Sequence, residues 1–426
     1  MTEEGKPEAE LKRALGLFDA TAISLGAIIG AGIFVVTGIV AGVAGPGVVV
    51  SIVLAGVIAS FNALSFAQLS AYMPKEGGGY EFTYHLVSPF AGFLAGWMWV
   101  FSNVFIGAAV SLGFSHYLAN LFPIFEGSVT FVAAVLCLLF TFLNYTGVRQ
   151  SARVNDVLVV AKILILLFFI VLGFGFMRLN NFEPFMPEGG LGVFEGAALI
   201  FFAYGGYARV TTVAEEVKNP SRNIPRAIIL ALLLSTVLYV LISLVAVGLV
   251  GSPSLAASNS PLADAIKVTG NPLSVFVVSL GAMIATASVL LMTILGESRI
   301  TFAMARNGQL PTFLSRIHPR FQTPHHAILI TGLFSSVLVF GGFSRAVTVG
   351  TLSLLFHHAL VNLAAIRLKS QNRHYPVFVS ILGFIFCLTL LTFLSTDAWI
   401  IGIAGLMIGS LYYALGIRRK KARKEV

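Results

Sequence analysis

Long apolar stretches follow one another along almost the whole chain. About 20 consecutive apolar residues, coiled as an α-helix, are enough to cross the hydrocarbon core of a bilayer. The sequence predicts twelve helical spans of this kind, at residues 17–44, 47–73, 86–118, 128–146, 154–177, 191–213, 226–250, 273–298, 325–342, 346–366, 376–396 and 398–416. The pattern therefore predicts an all-α polytopic membrane protein.

The composition of the chain agrees with this fold class. Hydrophobic residues make up 57% and charged residues 11% of the 426 positions. Soluble domains, by contrast, carry about 25% charged residues. A surface so poor in charge must itself be largely apolar, which excludes a soluble enzyme and an intrinsically disordered chain.

The distribution of basic residues predicts the orientation in the membrane. Lys and Arg number 27 against 18 Asp and Glu, which gives a formal net charge of +9. With the N-terminus in the cytoplasm, 13 of the basic residues fall in inner loops, 3 in outer loops and 9 in the two tails. An excess of basic residues in cytoplasmic loops is a general topology signal. We therefore expect a multi-pass protein of the cell membrane with both termini cytoplasmic, and no nucleic-acid partner.

Glycines interrupt two of the predicted spans near mid-membrane. The first span contains Gly26, Gly30 and Gly32, and each glycine costs a helix about 1 kcal/mol relative to alanine. The sixth span contains Gly205 and Gly206. Broken backbone at membrane depth is tolerated where it is buried in protein or lines a cavity, although small residues also serve close helix packing. If the chain is two five-helix repeats, spans one and six correspond, and such paired interruptions point to a transporter's binding site.

The chemistry of such a site favours a zwitterionic ligand. A half-helix that begins near Gly30–Gly32 would direct free N–H groups and the positive end of its dipole at an anion such as a carboxylate. Unwound carbonyls of both interruptions can accept hydrogen bonds from an ammonium group. An α-amino acid carries both groups, so the two interruptions predict an amino-acid site.

Several stretches resemble the signatures of the amino acid–polyamine–organocation permeases. They are GAIIGAGIF at 26–34, PKEGGGY at 74–80 with Gly96-Trp97, FFAYGGY at 201–207, AEEVKNP with RNIPR at 214–226, and RNGQLP at 306–311. The resemblance implies a LeuT-type fold of two inverted five-helix repeats with broken helices 1 and 6, and alternating access. The implied segments are a cytoplasmic tail at 1–16, the repeats at 17–177 and 191–366, helices 11 and 12 at 376–416, and a basic cytoplasmic tail at 417–426.

Carried over by position, the resemblance also implies a substrate site. The backbone N–H groups expected to bind the substrate carboxylate are those of Gly30, Ala31 and Gly32. The carbonyls expected to face the substrate amine are those of Ile28, Ala203 and Gly205. Phe202 sits where the family places an aromatic gate, although a phenylalanine here could also pack in the core. Asn103 and Trp97 of span three are weaker candidates for contact with the substrate side chain.

Lys162 is a charge embedded in the fifth span. It lies about 12 Å of helix rise from the start of that span, which is long for snorkelling. Some proton-driven members of the family carry a lysine on the fifth helix, where its ammonium takes the place of the sodium ion of sodium-coupled relatives. The resemblance therefore implies that Lys162 reaches Gly26 and Ser288 and couples transport to protons. A structural lysine and sodium coupling stay open as alternatives.

The second embedded charge, Arg209, follows the interruption of span six. Many relatives have an acidic residue near here, where this chain has Ala208. We expect Arg209 either to line the cytoplasmic exit or to pair with Glu215 or Glu216 one to two turns on. Glu297, at the inner end of span eight, is interpreted as a solvated or paired terminal acid. This interpretation leaves no unpaired acid near the site, which disfavours cationic substrates.

These features predict a secondary active transporter for proton-coupled uptake of neutral amino acids, and not an enzyme. An exchanger that needs no coupling ion and a membrane-embedded amino-acid sensor are the alternatives. The sequence contains no phosphate-binding Gly-Lys-Ser/Thr loop and no metal-binding HExxH motif, so we expect no cofactor and no metal. The expected partners are the amino-acid substrate, protons and the lipid bilayer, and the sequence leaves the oligomeric state open.

Overall fold

A computed structural model describes the chain over residues 15–75, 77–146 and 151–422. Over these ranges the secondary structure is helical, apart from an isolated bridge between Leu15 and Val217. The α-helices are α1 (Leu17–Ile28), α2 (Thr37–Ala44), α3 (Val48–Tyr72), α4 (Gly79–Leu86), α5 (Pro89–Leu121), α6 (Val129–Thr146), α7 (Ser151–Phe174), α8 (Gly189–Tyr204), α9 (Pro220–Ala256), α10 (Pro261–Ile266), α11 (Pro272–Arg306), α12 (His325–Leu338), α13 (Phe343–Arg367), α14 (Val377–Leu391) and α15 (Thr396–Ala422).

Nine apolar stretches in the described ranges are long enough to cross a membrane. The first of them, Leu17–Tyr72, is 56 residues long and contains the helices α1 to α3. Two shorter apolar helical stretches, His325–Gly341 and Val377–Leu391, accompany the nine. The chain is thus an all-α polytopic membrane protein, as predicted, whereas the count of twelve spans and the inverted repeat stay predictions.

The stretches differ in how much of their apolar surface the protein itself covers. In the first stretch and in Gly189–Ala214, 83% of the apolar window is buried. In Pro123–Thr146 and Thr396–Gly416 only 22% is buried. Apolar side chains that a membrane protein leaves uncovered can face lipid tails without penalty. The two stretches that carry the glycine interruptions therefore lie at the centre of the molecule, and α6 and α15 lie at its periphery.

Helix packing brings several elements to one central region. α5 packs along α11 and α13, while α3 packs against α8 and α9. α1 packs against α9, α7 and the segment that follows α8. The predicted cytoplasmic tails fall largely outside the described ranges, which begin at residue 15 and end with α15 at Ala422.

Candidate functional site

The first interruption separates α1 from α2. α1 ends at Ile28, and Ile29 takes an extended conformation with φ −76° and ψ 100°. A π-helical turn, Gly32–Val36, follows with Ala31 as its N-cap and leads into α2. The first N–H groups of a helix have no acceptor within that helix, so this restart can bind an anion.

The glycines of this interruption allow other helices to come close. A Cβ added at Gly30 would lie 2.5 Å from a methyl group of Val289 on α11. A Cβ added at Gly32 would overlap Ala203 on α8. The glycines therefore serve both roles considered for them, since the backbone is broken here and also closely packed.

The second interruption differs from the first because the backbone tightens and does not unwind. α8 ends at Tyr204, and a 3₁₀-helix with a kink at Val213 runs from Gly205 to Glu216. A Cβ on Gly206 would overlap the carbonyl group of Ala27 at the end of α1. The two interruptions therefore cross in direct backbone contact.

A small cavity lies where the interruptions meet α5, α11 and α13. Its volume is about 20 Å³, enough for a water molecule but not for an amino acid. The cavity lining includes all the residues expected to bind substrate, namely Ile28, Gly30, Ala31, Gly32, Phe202, Ala203 and Gly205. These residues lie around one point, while their binding roles stay predictions. The cavity must widen before a substrate can enter.

Tyr239 on α9 contacts both interruptions and was not singled out in the sequence. Its hydroxyl donates a hydrogen bond to the Ile28 carbonyl at 2.8 Å and lies 3.4 Å from the Ala203 carbonyl. The hydroxyl has one hydrogen, so it donates to the Ile28 carbonyl, which is expected to face a substrate amine, and the Ala203 carbonyl is within reach as an alternative acceptor. Each carbonyl oxygen keeps a second lone pair. A tyrosine in mid-span is itself the signal that could have drawn attention here, because a buried phenol usually finds a partner.

Lys162 is fully buried between α7, α1 and α11. Its ammonium donates hydrogen bonds to the Gly26 carbonyl at 2.8 Å, the Ile29 carbonyl at 2.9 Å and Ser288 Oγ at 3.3 Å. These three acceptors match the three N–H groups of an ammonium. Gly26 and Ser288 thus contact Lys162, while the Ile29 carbonyl was not anticipated. The coupling role of the three residues stays a prediction.

α5 contributes Trp99 and Asn103 to the cavity lining. Trp97, the tryptophan considered from the sequence, points elsewhere, since its indole N–H donates to the Gly405 carbonyl of α15 at 2.9 Å. Two positions along an α-helix differ by about 200° in direction. Asn103 therefore lies at the cavity, where its contact with substrate stays a prediction, whereas Trp97 lies away from it. The side of α5 that faces the cavity is not evident from an apolar sequence.

Arg209 is 7% exposed and also lines the cavity. Its Nη2 donates to Asn103 Oδ1 at 2.9 Å, and its guanidinium carbon lies 5.3 Å from the centroid of the Trp99 ring. The alternative partners Glu215 and Glu216 have side chains outside the described part of the chain.

Glu297 was expected to be a solvated or paired acid at a helix end, and it is neither solvated nor at the end of its helix. It is 0% exposed, because α11 continues past it to Arg306. Its carboxyl interacts electrostatically with Arg209. The preceding residue, Gly296, gives the guanidinium its space, since a Cβ there would collide with Nη1 of Arg209. The sequence interpretation missed that Glu297 is buried like Arg209 and is its acidic counterpart.

Comparison with known proteins gives consistent matches over nearly the whole chain. The family profile described as "Amino acid permease" matches residues 15–415. The branched-chain amino acid permease BcaP of Bacillus subtilis is 34% identical, and the alignment covers 97% of this chain and 94% of that protein. The methylthioribose transporter of the same organism is also 34% identical, covering 96% and 94%. The chloroplastic cationic amino acid transporter 9 of Arabidopsis thaliana is 37% identical, covering 72% and 58%.

Proposed function

The chain belongs to the amino acid permease family, and from this premise we propose that it is a secondary active transporter of amino acids. We propose uptake across the cell membrane by alternating access within a LeuT-type inverted repeat, driven by protons and selective for neutral amino acids. The matched family and relatives are permeases and transporters and not enzymes. Their names include branched-chain amino acids, methylthioribose and cationic amino acids, so membership alone does not define the substrate.

The two crossed interruptions support an amino-acid substrate. The restart at Gly32 offers N–H groups to a carboxylate, and carbonyls such as that of Gly205 offer acceptors to an ammonium. Phe202 lines the same cavity, as a gate over the substrate would. A cavity of about 20 Å³ must open to admit an amino acid, which agrees with a carrier that changes shape during each cycle.

The contacts of Lys162 are the observation on which proton coupling rests. The protonated amine supplies three donors that join α7 to the first interruption and to α11. Loss of the proton removes the charge and one donor, and so loosens this junction. A proton that binds from one side and leaves to the other would shift the balance between the two access states.

Uptake into proteoliposomes tests this function. We expect a radiolabelled neutral amino acid to accumulate when the lumen is made alkaline, and Lys162→Gln to lose this accumulation while retaining counterflow of preloaded substrate. Retained counterflow shows that the variant is folded and binds substrate. Accumulation by Lys162→Gln equal to the wild type would contradict proton coupling through Lys162.

The same assay separates the alternatives. Counterflow without gradient-driven accumulation in the wild type would indicate an exchanger. Saturable binding with neither counterflow nor accumulation would indicate a sensor. Accumulation that follows a sodium gradient and ignores pH would indicate sodium coupling.

A further inference from the structure

Arg209, in the second interruption, and Glu297, on α11, form a pair of buried ionisable side chains of opposite type beside the central cavity, close enough to interact electrostatically. Arg209 lines the cavity together with Trp99, Asn103 and Thr293, whereas Glu297 does not reach the lining. Gly296 lets the guanidinium pack against α11 beside the Glu297 carboxyl. A substrate in the cavity therefore meets the positive member of the pair first.

The Arg209 guanidinium is held in place, but some of its N–H donors have no acceptor among the described residues. Asn103 accepts one hydrogen bond from Nη2, and the Trp99 ring lies against the charge. Within the described part of the chain, Nε and Nη1 of Arg209 have no hydrogen-bond partner. Buried donors without an acceptor are costly. An acceptor group on a substrate would relieve this cost on the cavity side of Arg209.

We propose that Arg209 is a specificity-determining residue that excludes amino acids with cationic side chains. The inference rests on the proposed amino-acid transport. A second positive charge in a small, poorly polarisable cavity is repelled by the guanidinium wherever in the cavity it sits. The Glu297 carboxyl nearby favours the charged form of Arg209, because an isolated buried charge would be far less stable than one near an opposite charge.

The pair leads to a second prediction, on how substrate selectivity changes when either residue alone loses its charge. Without the Arg209 charge, the negative charge of the Glu297 carboxylate behind the cavity wall is uncompensated and attracts a cationic side chain. Without the Glu297 charge, Arg209 is uncompensated and attracts an acidic side chain. Selectivity should therefore move in opposite directions when the two residues are neutralised one at a time, and it should move back when both are neutral.

Competition for uptake tests the proposal. The transport of a labelled neutral amino acid into proteoliposomes is measured with increasing unlabelled lysine or glutamate. We expect lysine not to compete in the wild type and to compete in Arg209→Gln, with its inhibition constant lowered about tenfold or more, the scale of removing a like charge. Glu297→Gln should let glutamate compete, and the double variant should lose the competition by lysine.

The matched control is Arg345→Gln. This arginine is 54% exposed and lies 3.8 Å from Asp397 at the surface, so its loss should leave the selectivity unchanged. Competition by lysine in the wild type equal to that of a neutral amino acid would overturn the proposal. So would unchanged selectivity in Arg209→Gln or, if that variant does not fold, in Glu297→Gln. A wild type that transports no amino acid would instead overturn the proposed function itself.

Discussion

At the scale of single residues, the hydroxyl of Tyr239 is the group that both interruptions share. It reaches the Ile28 and Ala203 carbonyls at 2.8 and 3.4 Å, and its ring is fully buried. α1 ends at Ile28, so the Ile28 carbonyl lacks the partner that a continuous helix would give it. One side chain thus stabilises the relative position of the two halves of the site.

Replacing Tyr239 with phenylalanine should impair uptake by more than its effect on stability explains. Loss of the hydroxyl removes a hydrogen bond with a typical net contribution of about 0.5–1.5 kcal/mol and frees the interruptions to separate. Tyr204→Phe is the control, because the Tyr204 hydroxyl bonds the Ile52 carbonyl of α3 instead. Thermal unfolding should show similar losses of stability in the two variants. Initial uptake rates should be lower in Tyr239→Phe alone. Equal uptake by the two variants would contradict this role.

Buried charges differ in how far the sequence predicts them. Lys162 is evident as a charge within an apolar run, and the family resemblance indicated its contacts with Gly26 and Ser288. The contact between Arg209 and Asn103 was not evident. It depends on how far the segment after α8 rotates, and a single sequence of apolar helices does not encode that rotation in its periodicity.

At the scale of elements, the two interruptions use glycine in different ways. The first contains an extended residue at Ile29, and the second continues as a 3₁₀-helix from Gly205. Glycine weakens a helix but permits several backbone conformations. The sequence therefore predicts where the helices weaken, while the contact between Gly206 and Ala27 decides which geometry results.

The short helix α10 is joined to its surroundings by a carboxyl group outside the spans. Asp264 accepts hydrogen bonds from Lys267 at 2.6 Å, from Asn120 at 3.2 Å, and from Ser258. Burial raises the pKa of Asp264, but the hydrogen bonds from Lys267 and Ser258 and the charge of Lys267 outweigh it. The pKa therefore lies below its ordinary value.

A carboxyl whose pKa is lowered by folding stabilises the folded protein only while it is ionised. Above about pH 4, the ordinary pKa of aspartate, the wild type should unfold at a higher temperature than Asp264→Asn. The difference should shrink as the pH falls through the lowered pKa of the folded state, because Asp264 is then protonated. Thermal unfolding of both proteins across this range checks the sign. A difference that grows on acidification would contradict it.

At the scale of the whole molecule, the periphery of the protein is largely apolar. α6 and α15 leave most of their apolar residues uncovered, as expected for helices that face lipid. The sequence predicts this class of protein from composition alone. It does not establish the number of crossings, because a stretch such as Leu17–Tyr72 contains more than one helix.

Thiol labelling tests the predicted orientation. Cys137 and Cys387 are buried, so the background labelling of the wild type in intact cells should be low. We expect a membrane-impermeant maleimide to label Val268→Cys in intact cells, because the connection between α9 and α11 is predicted to be outside. Gln371→Cys, between α13 and α14, should react only after permeabilisation. The reverse pattern would invert the predicted topology.

The volume of the central cavity has a consequence for leakage. About 20 Å³ is room for about one water molecule. A sodium or potassium ion with its shell of several water molecules cannot fit in this space, and the Arg209 guanidinium in the wall repels a bare cation. A carrier that returns without substrate through this closed form would carry no sodium or potassium ion with it. The ion gradients across the membrane would therefore not be dissipated during the return step.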